Sequence, residues 1–209
     1  MSYRLAIFDF DGTLADSFPW FANALERVAA EFGLRPIDAE ERQVLRGCHP
    51  REVLARLEVP LWQVPPIARR MRQLKALDAH RLPLFPGTVE LLRQLDRQGV
   101  VRAIASSDSE ANVRSTLGQD NAALIDHYAC GASLFGKAAK LRQVVRRSGI
   151  QPSEAIYIGD ELRDGEAARS AGMAFAAVAW GYATPEALLA QRPDRFFASI
   201  DEIGNAFAC

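Results

Sequence analysis

Lysine is scarce in this chain of 209 residues: only Lys75, Lys137 and Lys140 stand among the 25 basic residues, and the others are arginine. The basic residues nearly balance 26 acidic ones, so the net charge at pH 7 is −1. Proteins that bind nucleic acid or an anionic membrane through surface charge carry a positive excess. We therefore expect neither partner.

Cysteine is equally rare and widely spaced. The three cysteines, Cys48, Cys130 and Cys209, are odd in number, and none lies in a CxxC spacing. A disulfide framework needs paired cysteines, and a zinc site needs closely spaced ligands. We therefore expect reduced thiols, which are typical of a cytoplasmic protein.

Long hydrophobic runs are also absent. The longest uncharged apolar stretch covers residues 171–183, which is shorter than the roughly 20 residues of a membrane-spanning helix. The apolar run at residues 5–8 is too short for the core of a signal peptide and ends in an acidic residue. Hydrophobic residues still make up 49% of the chain, enough for a sizeable core. These features predict a soluble cytoplasmic protein with no membrane partner.

The first part of the chain has a helical pattern. A short buried strand is predicted at residues 4–8, and helices follow at about residues 17–33, 38–46, 50–57 and 66–79. Asp38 is a suitable N-cap for the second helix, and Pro50 fits the first turn of the third. Two prolines and a glycine within residues 81–87 end this pattern.

The rest of the chain alternates between helices and short apolar strands. Strands are predicted at residues 100–105, 127–130, 155–158 and 174–179, each followed by a helical segment, and a final helix, strand and helix complete the chain. Such alternation predicts a parallel sheet with helices on both faces. The expected fold is α/β: a doubly wound, Rossmann-like core domain (residues 1–14 and 85–209) with an inserted α-helical cap domain (residues 15–84).

Polar residues follow three of the predicted strands directly. In an open parallel sheet, ligands bind beyond the carboxyl ends of the strands, so the residues at these ends are candidates for one site. Lys137 begins the helix that precedes the strand at residues 155–158, and it is expected to lie at the same edge of the sheet. The candidates are Asp9, Asp11, Ser106, Ser107, Lys137, Asp160 and Asp164.

Clustered carboxylates repel one another, and the repulsion is strong where water is excluded. A cation that neutralises them makes such a cluster stable. Carboxylate oxygens favour a hard ion, and an ion that also accepts phosphate oxygens is most often Mg²⁺. The sequence therefore predicts a magnesium site at this edge of the sheet.

Four short segments carry a family resemblance. The segments DFDGTLADS, AIASSD, FGKAAKL and IGDELRD resemble the four motifs of the haloacid dehalogenase superfamily, in the same order. The resemblance covers nearly the whole chain, because the helical insert lies where that superfamily has its C1-type caps. Within the superfamily the chain is most similar to the phosphoglycolate-phosphatase-like group. The resemblance implies a Mg²⁺-dependent phosphatase that hydrolyses a small phosphorylated metabolite through an aspartyl phosphate.

The same resemblance implies a role for each motif residue. Asp9 is the nucleophile that takes the phosphoryl group. Asp11 protonates the leaving oxygen and later deprotonates the attacking water. Ser106, Ser107 and Lys137 bind the phosphoryl group. The implied metal ligands are Asp9, Asp11 through its backbone carbonyl, Asp160 and Asp164.

Lys137 is preferred over Lys140 as the motif lysine. On a helix with 100° per residue, Lys137 lies about 40° from Leu141 of the apolar stripe, and Lys140 lies about 100° away. Lys137 also begins the helix, which places it nearer the strand ends. The proline that usually follows this lysine in the family is replaced by Ala138.

The loop at residues 47–51 joins two cap helices and contains His49 and Arg51. In related caps such a loop approaches the active site, so it is expected to contribute to substrate choice. Arg51 in particular is expected to bind a second anionic group of the substrate.

Other functions stay open at this stage. A phosphomutase passes the same aspartyl phosphate to a sugar. A haloacid dehalogenase needs no metal, and its branch differs at the position of Asp11. Cleavage of a carbon–phosphorus bond requires a cap lysine that forms a Schiff base, and the predicted cap contains only Lys75. A non-catalytic binding module is disfavoured by the intact acids and lysine. The protein is expected to be a monomer or a homodimer.

Overall fold

Six parallel strands form one sheet in the computed structural model, which describes residues 3–131 and 136–207 and therefore does not include Cys209. The strands are β1 (Leu5–Phe8), β2 (Val101–Ala105), β3 (His127–Ala129), β4 (Ala155–Gly159), β5 (Ala174–Val178) and β6 (Arg195–Phe197). Their order is β3-β2-β1-β4-β5-β6. Leu5 pairs with both Val101 and Ala155, so the three central strands end at the same edge.

Helices cover both faces of the sheet. They are α5 (Thr88–Arg97), α6 (Glu110–Leu117), α7 (Gln119–Ala122), α8 (Lys137–Ser148), α9 (Leu162–Ala171), α10 (Pro185–Ala190) and α11 (Ile200–Ala206). One hydrophobic core lies under α5, α6 and α11, and a second lies under α8, α9 and α10. Strand β1 is fully buried between them, and each large side chain buried there contributes about 1.5–3 kcal/mol. The predicted doubly wound α/β fold is confirmed.

Between β1 and α5 the chain forms four α-helices: α1 (Phe18–Glu31), α2 (Ala39–Arg46), α3 (Pro50–Arg56) and α4 (Val64–Asp78). Helix α4 begins two residues earlier than predicted, because its first turn tolerates prolines, which lack an N–H group. The two ends of this region lie next to each other, because Ala15 and Leu84 form an antiparallel bridge. We refer to residues 15–84 as the cap segment; its status as a separate domain stays a prediction.

The described residues contain no helix that is both long and apolar enough to cross a lipid bilayer.

Arg46, the last residue of α2, joins the cap segment to the loop after β5. Its Nε and Nη2 atoms donate hydrogen bonds of 2.8 and 2.9 Å to the carbonyl oxygens of Tyr182 and Gly181. Its guanidinium group also lies 5.0 Å from the centre of the Phe18 ring. The backbone N–H of Tyr182 in turn donates to Asp160 Oδ2 at 2.8 Å. A cap residue therefore holds the loop that contacts one of the strand-end acids.

We expect Arg46→Ala to lower the free energy of unfolding by about 1–2 kcal/mol, because two charge-assisted hydrogen bonds between cap and core are lost. Chemical denaturation measures the change. Arg42→Ala is the matched control: it lies one turn earlier on α2, and its exposed ion pair with Glu26 is worth at most about 0.5 kcal/mol. Equal losses in both variants would contradict the role assigned to Arg46.

Candidate active site

Asp9 follows β1 directly and lies at the carboxyl edge of the sheet. Its side chain is buried, and its Oδ1 atom accepts a hydrogen bond of 2.8 Å from the N–H of Phe10. The turn that follows requires glycine at position 12. Gly12 has a φ of +78°, and a Cβ atom there would lie 2.2 Å from Asp160 Oδ2. The Asp-Gly turn therefore lets the ends of β1 and β4 approach closely.

Asp160 and Asp164 extend from the end of β4 and the start of α9, and both are completely buried. Asp160 accepts hydrogen bonds of 2.8 Å from the Thr13 hydroxyl and the Tyr182 N–H. Asp164 Oδ2 accepts from the N–H groups of Asp160 and Glu161, at 3.0 and 2.9 Å. Each carboxylate is thus fixed in orientation by groups from the surrounding turns.

Asp9, Asp160 and Asp164 can offer oxygen atoms to one cation, because one carboxylate oxygen from each lies within 4.8 Å of the others. Burial and the neighbouring carboxylate of Asp9 raise the pKa of Asp160 well above its ordinary value. Burial also raises the pKa of Asp164 to about 6, although Lys137 works in the opposite direction. Three buried carboxylates that face one another are a ligand set that suits a hard divalent cation.

Lys137 lies at the start of α8 and contacts two of these acids. Its Nζ atom donates hydrogen bonds of 2.5 Å to Asp9 Oδ2 and to Asp164 Oδ1. Burial tends to lower the pKa of Lys137, but the charges of Asp164 and Asp9 outweigh burial and raise it. The residue is therefore held as an ammonium ion beside Asp9.

Lys140 occupies a different position from Lys137. Its Nζ atom donates to the carbonyl oxygens of Ser106 and Gly131, which follow β2 and β3. Burial and the charge of Lys137 lower the pKa of Lys140 to about 8. Lys137, which the sequence analysis preferred, therefore contacts the carboxylates of Asp9 and Asp164. Lys140 instead connects the loops that follow β2 and β3 at the same edge of the sheet.

Ser106 and Ser107 follow β2 at this edge. Ser106 is buried, and its Oγ atom accepts a hydrogen bond of 3.1 Å from the N–H of Asp108. Ser107 is half-buried. The structure therefore places Ser106 next to Asp108 and leaves Ser107 partly exposed to solvent.

Asp11 is paired with a residue that the sequence did not identify as part of the site. Lys75 of α4 is almost fully buried, and its Nζ atom donates to Asp11 Oδ1 and lies 2.8 Å from Asp108 Oδ2. Burial raises the pKa of Asp11, and Lys75 opposes that increase. For Lys75, burial works to lower the pKa, but Asp11 and Asp108 outweigh it and raise the pKa.

All three lysines of the chain thus meet at one edge of the sheet, and they do not neutralise the acids there. Counted by formal charge, five carboxylates face three ammonium groups among the described residues, which leaves an excess of two negative charges; the nearby Glu161 and Arg163 pair with each other. A divalent cation matches this excess. We refer to these eight residues as the charged cluster: Asp9, Asp11, Asp108, Asp160, Asp164, Lys75, Lys137 and Lys140.

His49 and Arg51 lie on another side of Lys137. With Lys137, Arg163 and Glu166 they line a cavity of about 220 Å³ between the cap segment and helices α8 and α9. His49 caps α3, and its Nε2 atom lies 3.4 Å from Glu166 Oε2. The structure therefore brings this loop near the charged cluster, and its role in substrate choice stays a prediction.

Comparison with known proteins identifies the family. A sequence model of haloacid dehalogenase-like hydrolases matches residues 6–178. The phosphoglycolate phosphatase of Synechococcus elongatus is 36% identical over 90% of this chain and 89% of its own length. The corresponding enzyme of Chromobacterium violaceum is 32% identical over 88% and 89%.

Solved structures agree with the sequence relatives. A haloacid dehalogenase-like hydrolase of Streptococcus pneumoniae superposes with a TM-score of 0.81 and 25% identity, covering 99% of both chains. CbbY of Rhodobacter sphaeroides, solved in complex with phosphate, gives a TM-score of 0.75 and 25% identity over 98% of this chain and 97% of its own. The chain therefore belongs to the haloacid dehalogenase-like hydrolases, and it is a phosphoric monoester hydrolase of their phosphoglycolate-phosphatase-like group.

Proposed function

We propose that the protein hydrolyses the phosphate monoester of a small metabolite through an aspartyl phosphate on Asp9, with Mg²⁺ as its cofactor. The observation that carries the proposal is the contact between Asp9 and Lys137 inside a cluster with two excess negative charges. Relatives that are named phosphoglycolate phosphatases support a small phosphorylated acid as the substrate.

The reaction has two steps at phosphorus. A carboxylate oxygen of Asp9 attacks, the bond from phosphorus to the leaving oxygen breaks, and the leaving oxygen takes a proton from Asp11. Water then attacks the phosphorus of the aspartyl phosphate and gives a proton to Asp11. Inorganic phosphate leaves and Asp9 is restored.

The remaining cluster residues stabilise charge during these steps. Lys137 and Ser106, with Ser107, bind the phosphoryl oxygens, and the fixed ammonium of Lys137 offsets the negative charge that develops on them. Asp9, Asp160 and Asp164, with the backbone carbonyl of Asp11, would hold Mg²⁺. When bound, this ion neutralises the carboxylates and draws electron density from the phosphoryl group.

The alternatives differ in how well the site suits them. A Schiff-base mechanism for carbon–phosphorus cleavage needs an uncharged lysine in the cap. Lys75 is the cap lysine, but its pKa is raised by Asp11 and Asp108 against the effect of burial, which keeps it an unreactive ammonium ion. A dehalogenase has no need for the proton shuttle of Asp11. A phosphomutase uses the same residues and differs only in the acceptor of the phosphoryl group.

Asp9→Asn is the principal test of the function. The change removes the nucleophile with little change in shape, so we expect Mg²⁺-dependent turnover of 4-nitrophenyl phosphate to fall by at least ~10³. Circular dichroism should show an unchanged fold. Asp120→Asn, at an exposed position of α7, is the control and should keep full activity. Wild-type turnover by the Asp9 variant would rule out the proposed nucleophile.

Asp11→Asn separates the two steps. The nucleophile remains but the proton shuttle is lost, so we expect steady-state turnover to fall by at least ~10². With 4-nitrophenyl phosphate, whose leaving group needs little protonation, the first step should continue and the aspartyl phosphate should accumulate. Rapid quenching followed by intact-protein mass spectrometry measures the bound phosphoryl group. Equal loss of both steps would argue against a dual role of Asp11.

A further inference from the structure

Tyr182 lies in the loop after β5, and contacts from both the core and the cap segment hold it in place. Its backbone N–H donates to Asp160 Oδ2 at 2.8 Å, and its carbonyl oxygen accepts from Arg46 Nε at 2.8 Å. Its ring meets Phe18 edge-on at 5.1 Å between ring centres and lies 5.3 Å from Phe21 in a tilted arrangement. The tyrosine is therefore fixed at its backbone and at its ring, so its hydroxyl group occupies a defined position.

The hydroxyl group of Tyr182 lies beside Ser17, the residue that precedes α1. The two hydroxyl oxygens are 3.0 Å apart, which is within hydrogen-bond distance. Ser17 is buried, with 1% of its surface exposed. A serine at this position usually bonds to the backbone of its own helix, but the side chain of Ser17 makes no such capping hydrogen bond. Its hydroxyl group is directed to partners outside α1 instead.

The second partner of Ser17 is Asp11, the proposed proton shuttle. Burial raises the pKa of Asp11, and a hydrogen bond from the Ser17 side chain works against that increase. An ionised carboxylate only accepts hydrogen bonds, so Ser17 donates its hydroxyl proton to Asp11. The contact between the two hydroxyl groups then needs Tyr182 as its donor. Donation therefore runs from Tyr182 to Ser17 to Asp11, and polarisation along such a chain strengthens each bond.

These contacts limit how the carboxyl group of Asp11 can turn. Asp11 has to present an oxygen atom to the leaving group and later to water, but its side chain can rotate about its C–C bonds. Lys75 and Ser17 both contact this carboxyl group. Gly12, the next residue, packs against the tyrosine as well, because a Cβ atom there would lie 2.6 Å from Tyr182 Cδ1. Tyr182 thus adjoins both the backbone beside Asp11 and the residue that bonds to its side chain.

We propose that Tyr182 is a positioning residue for proton transfer: its hydroxyl group orients Ser17, and Ser17 orients the carboxyl group of Asp11 toward the leaving oxygen. This inference rests on the proposed function, in which Asp11 moves the proton. It gives a role to two residues that the sequence analysis left without one. Tyr182 acts through Ser17 and needs no contact with the reacting atoms.

Tyr182→Phe tests the proposal, because it removes the hydroxyl group and keeps the ring and both backbone hydrogen bonds. The readout is the single-turnover rate of aspartyl phosphate formation from two aryl phosphates in the presence of Mg²⁺. The leaving oxygen of phenyl phosphate is strongly basic and needs a proton, whereas that of 4-nitrophenyl phosphate needs little protonation. We expect the variant to react ~10-fold more slowly with phenyl phosphate and to stay within ~2-fold of the wild-type rate with 4-nitrophenyl phosphate.

Tyr128→Phe is the matched control. Tyr128 is a buried tyrosine of β3, and its hydroxyl group donates to the carbonyl oxygen of Ala122 at 2.9 Å, a contact that does not involve the charged cluster. The control loses a comparable hydrogen bond, so it should keep the wild-type ratio of the two rates. Calorimetric titration of Tyr182→Phe should give the wild-type affinity for Mg²⁺, because the backbone of residue 182 still donates to Asp160.

Ser17→Ala removes the residue through which Tyr182 is proposed to act. We expect this variant to show a selective loss with phenyl phosphate that is at least as large as that of Tyr182→Phe. The double variant Tyr182→Phe/Ser17→Ala should react as Ser17→Ala does, because the tyrosine then has no hydroxyl group to orient.

Three results would overturn the proposal while the proposed function stands. Equal losses with both substrates in Tyr182→Phe would mean that the hydroxyl group supports the site as a whole. Wild-type rates with both would mean that Asp11 is oriented without it. Additive losses in the double variant would mean that Tyr182 acts independently of Ser17. An active wild-type protein whose Asp11→Asn variant shows no selective loss with phenyl phosphate would instead reject the role of Asp11, and the proposal with it.

Discussion

The compensation of buried negative charge is the constraint on which this structure depends. Five carboxylates lie at one edge of the sheet, and three of them, Asp9, Asp160 and Asp164, are close enough to share a cation. Isolated ionised groups cannot remain in such a place, because the loss of hydration costs several kcal/mol per ion. All three lysines of the chain lie at this edge, and the other 22 of the 25 lysine and arginine residues are arginines. The remaining excess of two negative charges is what makes a divalent cation part of the proposed site.

The cap segment contributes to this compensation from outside the core. Lys75 brings a positive charge to Asp11 and Asp108, and Arg46 holds the Gly181–Tyr182 backbone that contacts Asp160. Packing of the cap thus affects both the proposed acid and one proposed metal ligand. The proposed acid and this proposed metal ligand therefore both depend on contacts between the cap segment and the core.

The fold was predictable because its signals are local. Apolar strands alternate with helices, and residues that follow parallel strands must meet at one edge, so the positions of Asp9, Ser106 and Asp160 followed from the sequence. Asp38 accepts from the N–H of Glu41 as the predicted N-cap of α2. The choice between Lys137 and Lys140 also rested on local geometry, since helical periodicity places only one of them at the edge of the apolar stripe.

The contacts of Lys75 and Asp108 were not predictable in the same way. They depend on how α4 packs against the core, and a helical pattern does not specify which core residue its buried face meets. One signal was present in the sequence: the chain has only three lysines, which makes each of them a candidate for a specific role. Thr13 and Tyr182 were missed for a similar reason, since they reach Asp160 from segments that are 147 and 22 residues away.

Calorimetric titration with Mg²⁺ tests the central claim most directly, because it measures the affinity and stoichiometry of ion binding without the need for turnover. The account predicts that one Mg²⁺ binds per chain. It also predicts that Asp160→Asn weakens binding by at least ~10-fold, while Asp120→Asn leaves it unchanged. Absence of binding to the wild-type protein, or equal affinity in the Asp160 variant, would contradict the claim that these buried carboxylates are built around a divalent cation.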